Sequence, residues 1–314
     1  MSHPPLLDSL IAGDRRALAR AISVVEDRRT GWTELLAAAW PARRGARLVG
    51  ITGAPGAGKS SLVDGLVEHC RSFGWNVAVV AVDPSSPFTG GALLGDRIRM
   101  QRHVSDPGVY VRSMSARGHL GGLSDATSGV TVLLDAAGFD PIIVETVGVG
   151  QSEIEVIGAV ETTVVVLTPG WGDSVQAAKA GLLEAGDVFV VNKSDLPGAT
   201  ETAADIEAMI ELGMPVSWRP PVVLASATLS QGIQDLWAAV AAHRESIEAS
   251  GEAAARRSRR YLDQFERAVA AGIRFAQAPS DLLADVESGA VDPWTAARLL
   301  IGGQTSRTTS ASSA

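Results

Sequence analysis

Residues Gly53-Ala54-Pro55-Gly56-Ala57-Gly58-Lys59-Ser60 follow the spacing G-x-x-x-x-G-K-[ST], and no other stretch of the chain limits the possible folds as strongly. An uninterrupted apolar run, Leu48 to Ile51, precedes the motif, and a helix-length segment, Ser61 to Phe73, follows it. A strand that ends in a glycine-rich turn and restarts as a helix gathers unpaired N–H groups and the positive end of the helix dipole at one point, where phosphate can sit. Lys59 is placed to reach the β and γ phosphates of a nucleotide, and the Ser60 hydroxyl to ligate the Mg2+ that joins them. Ser61 completes the expected nucleotide contacts on this side. By itself the motif leaves kinase, ATPase and GTPase chemistry open.

The same alternation continues downstream. Short apolar runs recur at Val77 to Val82, Ile142 to Val144, Val164 to Leu167, Val188 to Val191 and Val222 to Leu224. Helix-length segments lie between them at Ser124 to Ala137, Val175 to Ala185, Thr202 to Leu212 and Ile233 to Ser246. Strands without polar alternation are buried on both faces. The pattern therefore predicts an α/β fold of the P-loop NTPase type, with a mainly parallel sheet, helices on both faces and right-handed crossovers. Ligands of such sheets gather at the carboxyl ends of the strands. Helical spacing recurs before the motif, at Leu18, Ile22 and Val25, and after residue 250, at Tyr261 to Phe275 and Trp294 to Ile301. These segments predict an N-terminal helical extension over 1–45, a nucleotide domain over 46–248, a C-terminal helical arm over 249–302 and a disordered tail over 303–314.

Val188 to Val191 leads into Asn192-Lys193-Ser194-Asp195, an N-K-x-D tetrapeptide at an expected strand end. Guanine offers N1–H and its exocyclic amine side by side, and one carboxylate accepts both. Adenine presents an acceptor at N1 and would leave Asp195 unpaired, at ~1–3 kcal/mol for a buried polar group, or about tenfold to a hundredfold in preference. Asn192 is expected to brace the phosphate loop and contact the base, Lys193 to cover the ring, and Ser226-Ala227 to offer the base a backbone amide. An exposed polar turn could carry the same four letters, but their place downstream of the phosphate loop favours a GTPase. Two further strand ends carry acids, Asp83 and Glu145. Asp83 is the stronger metal candidate, and the extra methylene of Glu145 suits contact with Mg2+ through water. The Gly148 amide is expected to meet the γ-phosphate in a segment that moves when this phosphate leaves. No glutamine constellation for positioning water stands out, Gln151 included, so intrinsic hydrolysis is expected to be slow.

Composition removes several classes. With 46% hydrophobic residues and a formal net charge of -8, the chain reads as a globular protein without an extended nucleic-acid footprint. The single cysteine, Cys70, allows neither an internal disulfide nor a Cys-rich metal site. The start lacks a signal-peptide pattern and no apolar run approaches the ~18 residues that span a bilayer, so a cytoplasmic protein without a membrane partner is expected.

Val82 to Ser86, Thr89-Gly90-Gly91-Ala92-Leu93-Leu94-Gly95-Asp96-Arg97, Gly118-His119-Leu120-Gly121-Gly122, Glu145 to Glu153 and Pro169-Gly170-Trp171-Gly172-Asp173 together resemble the MeaB/ArgK family, whose human relative is the methylmalonic aciduria type A protein. The likeness runs from Gly13 to Ile301. It implies a GTP-hydrolysing chaperone of an adenosylcobalamin-dependent acyl-CoA mutase, usually methylmalonyl-CoA mutase, that gates cofactor loading and protects the mutase from inactivation. By motif position it implies that Asp83, Asp96 and Glu145 serve Mg2+ with Ser60, and that Asp173 and Lys179 form a third switch toward the mutase. Lys59, Asp96, Glu145 and Lys179 are then the expected catalytic residues, with Mg2+ and GTP or GDP as ligands. The family likeness also implies a homodimer formed through the C-terminal arm. Two alternatives stay open: a metallocentre-assembly GTPase of the nickel-insertion type, disfavoured by the scattered histidines, and a transport-linked P-loop kinase.

Overall fold

Each apolar run read from the sequence becomes a strand of one sheet. The computed structural model of the chain describes residues 4–83, 103, 105–115, 122–146, 158–170, 186–212 and 217–275. Its strands are β1 (Leu48–Gly53), β2 (Val77–Asp83), β3 (Val109–Ser115), β4 (Ile142–Thr146), β5 (Thr162–Leu167), β6 (Val188–Asn192) and β7 (Val222–Ala225). They pair in the order β3-β2-β4-β1-β5-β6-β7, and every described pair is parallel. The chain leaves β1 toward one edge, returns to β4, and crosses to β5 on the other side. That reversal beside β1 opens a crevice at the carboxyl ends, where the phosphate loop lies.

The described helices are α1 (Pro4–Ile11), α2 (Arg15–Glu26), α3 (Trp32–Ala39), α4 (Lys59–Ser72), α5 (Gly122–Ala136), α6 (Ala199–Leu212), α7 (Ile233–Ser250) and α8 (Glu252–Phe275). Successive strand residues point to opposite faces, and the helices divide accordingly. On one face Leu62, Leu66 and Val67 of α4 and Leu236 and Val240 of α7 pack with Ile51, Val79, Val164 and Val190. On the other, Leu18 and Ile22 of α2 and Val130 and Leu133 of α5 cluster with Ala78, Val80, Ile142 and Val144. Ala203 and Ile206 of α6 cover Val165, Phe189 and Val191 on the same side. Each such Val, Leu or Ile contributes ~1.5–3 kcal/mol through burial, so helix attachment rather than propensity holds the sheet.

Strand β3 has no counterpart among the apolar runs. It is an edge strand with β2 as its neighbour, and polar residues interrupt its apolar ones. Tyr110 and Met114 enter the core beneath the N-terminal helices, while Arg112 between them pairs with Glu26 of α2. The same region ties down the N-terminal extension. Asp14 caps α2 by accepting from the N–H groups of Arg16 and Ala17 at 2.7 and 3.2 Å. Asp135 of α5 accepts from the N–H groups of Arg44 and Ala46 at 2.8 and 3.2 Å, fixing the approach to β1.

At the amino ends of β5 and β6, opposite the phosphate loop, Asp187 gathers a buried polar cluster. Its carboxylate accepts from Thr163 N–H at 2.8 Å and from both terminal nitrogens of Arg256 at 3.0 and 2.9 Å. His243 Nε2 lies 3.2 Å from the same group, and its Nδ1 lies 2.8 Å from Thr162 Oγ1. This cluster fastens the start of α8 to the sheet. Among the described residues, those up to Arg260 form one compact unit and those from Tyr261 onward belong to a second. Among the described residues no helix is long and apolar enough to cross a membrane. The helix segments expected at Val175 to Ala185 and Trp294 to Ile301 lie outside the described residues.

Candidate functional site

The phosphate loop is shaped by glycines where nothing larger fits. Gly53, the last residue of β1, has φ +136, and a Cβ there would stand 2.1 Å from the Val166 carbonyl oxygen of β5. Gly58 has φ +89, and a Cβ would stand 2.2 Å from Asn192 Nδ2. Both backbones occupy the region that side chains disfavour. Helix α4 starts directly after Gly58 without a side-chain cap, so its first-turn N–H groups face the loop as anion donors. Lys59 Nζ donates to the carbonyls of Gly53 and Ala54 at 2.6 and 3.1 Å. Its ammonium is thereby held at the mouth of the loop.

Ser60 Oγ donates to Glu145 Oε1 at 2.6 Å. Glu145 is only 2% exposed and sits on β4 opposite Ile51 of β1, so strand pairing carries its carboxylate to the first turn of α4. One residue on, Thr146 Oγ1 donates to Thr52 Oγ1 at 3.3 Å, tying the same two strand ends together. A hydroxyl and a carboxylate side by side form the hard oxygen pair that suits Mg2+.

On the other side of the crevice, Asn192 ends β6 at 2% exposure. Its Nδ2 donates to the Ala57 carbonyl at 2.7 Å, and its Oδ1 accepts from Ala227 N–H at 3.2 Å. Ser226 Oγ donates to Asp195 Oδ1 at 2.6 Å, and Ser194 N–H bonds to the Ala225 carbonyl at 2.9 Å. Lys193 takes a left-handed conformation, φ +60, which turns the chain sharply after the strand. The fold thus brings Ala57, Gly58, Asn192, Asp195, Ser226 and Ala227 together. The Ala227 amide, expected at the base, bonds to Asn192 here. The Ser226 hydroxyl on Asp195 was not read from the sequence; its only signal is a serine just past β7, the neighbour of β6.

Other expected residues fall outside this geometry. Asp83 ends β2, and its side chain lies outside the described residues. Asp96, Gly148, Gln151, Asp173 and Lys179 lie outside them altogether. Among the described residues no group of three or more His, Cys, Asp or Glu side chains could hold a metal ion.

The family model described as methylmalonyl-CoA mutase-associated GTPase MeaB matches residues 18–276. A Pyrococcus abyssi protein that carries a GTPase name is 44% identical over 307 residues, covering 94% of this chain and 95% of that one. GTPase ArgK of Escherichia coli is 39% identical over 249 residues, 76% of this chain and 75% of its own. The mouse mitochondrial methylmalonic aciduria type A homolog is 36% identical over 271 residues, 80% and 65% of the two chains. Among solved structures, a LAO/AO transport system kinase superposes with a TM-score of 0.70 at 27% identity, covering 96% of this chain and 97% of that one.

Proposed function

The chain belongs to the MeaB family of methylmalonyl-CoA mutase-associated GTPases, and from that premise we propose that it is a GTP-driven chaperone of an adenosylcobalamin-dependent acyl-CoA mutase. It is a GTPase; the proposal concerns what hydrolysis is for. The observation that carries it is the family match over 18–276, which spans the phosphate loop, the acids and the base-reading turn together. In this reading the nucleotide state gates cofactor loading and protects the mutase from inactivation. Methylmalonyl-CoA mutase is the proposed client, and the 249–302 arm the proposed dimer contact.

The residue roles belong to the same proposal. Gly53 to Ser61 and Gly148 cradle the phosphates, Lys59 offsets their charge, and Asp195, oriented by Ser226, accepts from guanine. Ser60, Glu145, Asp83 and Asp96 would hold Mg2+, which offsets the charge on the β and γ oxygens during transfer. Asp173 and Lys179 would pass the nucleotide state to the mutase.

Turnover of GTP is to be measured with and without purified methylmalonyl-CoA mutase, beside a binding assay in GDP and in a nonhydrolysable GTP analogue. Stimulated turnover and nucleotide-dependent binding are expected; neither appearing would remove the client. The likeness to a transport system kinase supports a second reading, transfer to a protein acceptor. Label from γ-phosphate recovered on protein instead of as free phosphate would favour it.

A further inference from the structure

Asp64 lies on α4 four residues beyond Ser60, on the same helix face and about 6 Å further along the axis. It is 4% exposed, and His103, 7% exposed, brings Nε2 to within 2.8 Å of its Oδ1. The pair joins residues 39 positions apart. A second clasp lies further along the helix, where Arg71 donates to both carboxylate oxygens of Asp106 at 2.8 and 3.0 Å. From α2, Arg15 donates to the carbonyls of Asp106 and Pro107 at 3.0 and 3.3 Å. The residues that lead into β3 are therefore tied to α4 at two points, Asp64 and Arg71, and to α2 through Arg15.

A buried pair of this kind is a poor way to add stability, because apolar side chains of similar volume do as well. What a hydrogen-bonded pair adds is a single position. Here that position is set relative to the helix whose first residues are Lys59 and Ser60. In sequence, Asp83 and His103 bracket the stretch that carries Asp96.

We infer that His103 and Asp64 are positioning residues for GTP hydrolysis, fixing the return of the β2–β3 connection against the helix that bears Lys59 and Ser60. The inference rests on the reading of Ser60, Asp83 and Asp96 as the Mg2+ region. Neither residue touches the reacting atoms; both act through the geometry of groups that do.

The test uses the full-length protein. His103→Ala is expected to lower kcat on the order of tenfold or more and to raise the Mg2+ concentration for half-maximal turnover, while GDP affinity in EDTA stays within about twofold of wild type. His103→Gln, whose amide can donate to Asp64, is expected to recover most of the rate. The Asp64→Ala, His103→Ala double variant is expected to be no slower than the worse single variant, since each removes the same contact. An unchanged kcat in His103→Ala would overturn the inference. So would a glutamine variant as slow as the alanine, or losses of kcat and GDP affinity that run in parallel. Wild-type turnover indifferent to Mg2+ would overturn the metal reading itself, and this inference with it, whatever the His103 variants do.

Discussion

Replacing Asn192 by alanine removes two hydrogen bonds that run in opposite directions across the site, one to the phosphate loop at Ala57 and one from the Ser226-Ala227 turn. Ala57 is buried and Ala227 half-buried, so water can replace the second partner more readily than the first. An orphaned buried group costs ~1–3 kcal/mol, and the pair is expected to cost about 2–4 kcal/mol. Against a total stability of ~5–15 kcal/mol, the variant should fold and be measurably weaker. The loop also loses the brace beneath Gly58, so GDP affinity is expected to fall about tenfold or more, equivalent to ~1.4 kcal/mol. Asn192→Asp keeps the acceptor for Ala227 but sets a carboxylate oxygen against the Ala57 carbonyl, and it is expected to lose GDP at neutral pH as well. Urea unfolding without nucleotide reads the first quantity, and titration with a fluorescent GDP reads the second. Unfolding free energy within about 0.5 kcal/mol of wild type, together with unchanged GDP affinity, would refute the reasoning, since neither bond would then matter.

Gly58→Ala acts on the same contact from the other side: with φ +89 and a Cβ 2.2 Å from Asn192 Nδ2, it must push the amide away from Ala57. Its loss of GDP affinity is expected to match that of Asn192→Ala without adding to it, and additive losses in the double variant would count against the shared contact. Arg256→Ala removes the two-point partner of Asp187 and is expected to cost about 3–5 kcal/mol at neutral pH, seen as a lower urea midpoint. Burial pushes the Asp187 carboxyl up, but its contacts with His243 and Arg256 outweigh burial and hold it below its ordinary value. A carboxylate lowered in the folded state stabilises above its unfolded pKa and loses that contribution as pH falls through the folded one. The gap between wild type and Arg256→Ala should therefore be widest near neutrality and narrow below about pH 4. A gap that stays constant into acid would show that Asp187 is not the titrating partner.

The legible parts of this protein are local ones. Leu48 to Ile51 followed by the glycine-rich loop and Lys59 states a strand, a turn and a helix start within one short window, because the steric demands of positive φ fall on the residues that adopt it. The runs that became β2, β4, β5 and β6 are uninterrupted because interior parallel strands have no solvent face; β7, at the edge, was legible because Val222 to Leu224 is apolar although Leu224 is exposed. Strand β3 escaped this reading because polar residues break its apolar run: Arg112 sits between Tyr110 and Met114 to meet Glu26.

From the sequence alone came the fold class, the guanine nucleotide and the family, since each is carried by short motifs whose chemistry does not depend on distant partners. Tertiary structure decided which distant residues meet. Asn192 reaches Ala57 across 135 positions and Ser60 reaches Glu145 across 85, because β1 lies between β4 and β5 with β6 next. That strand order is set by helices packing on two faces of the sheet, a long-range balance of buried area that no window of sequence contains.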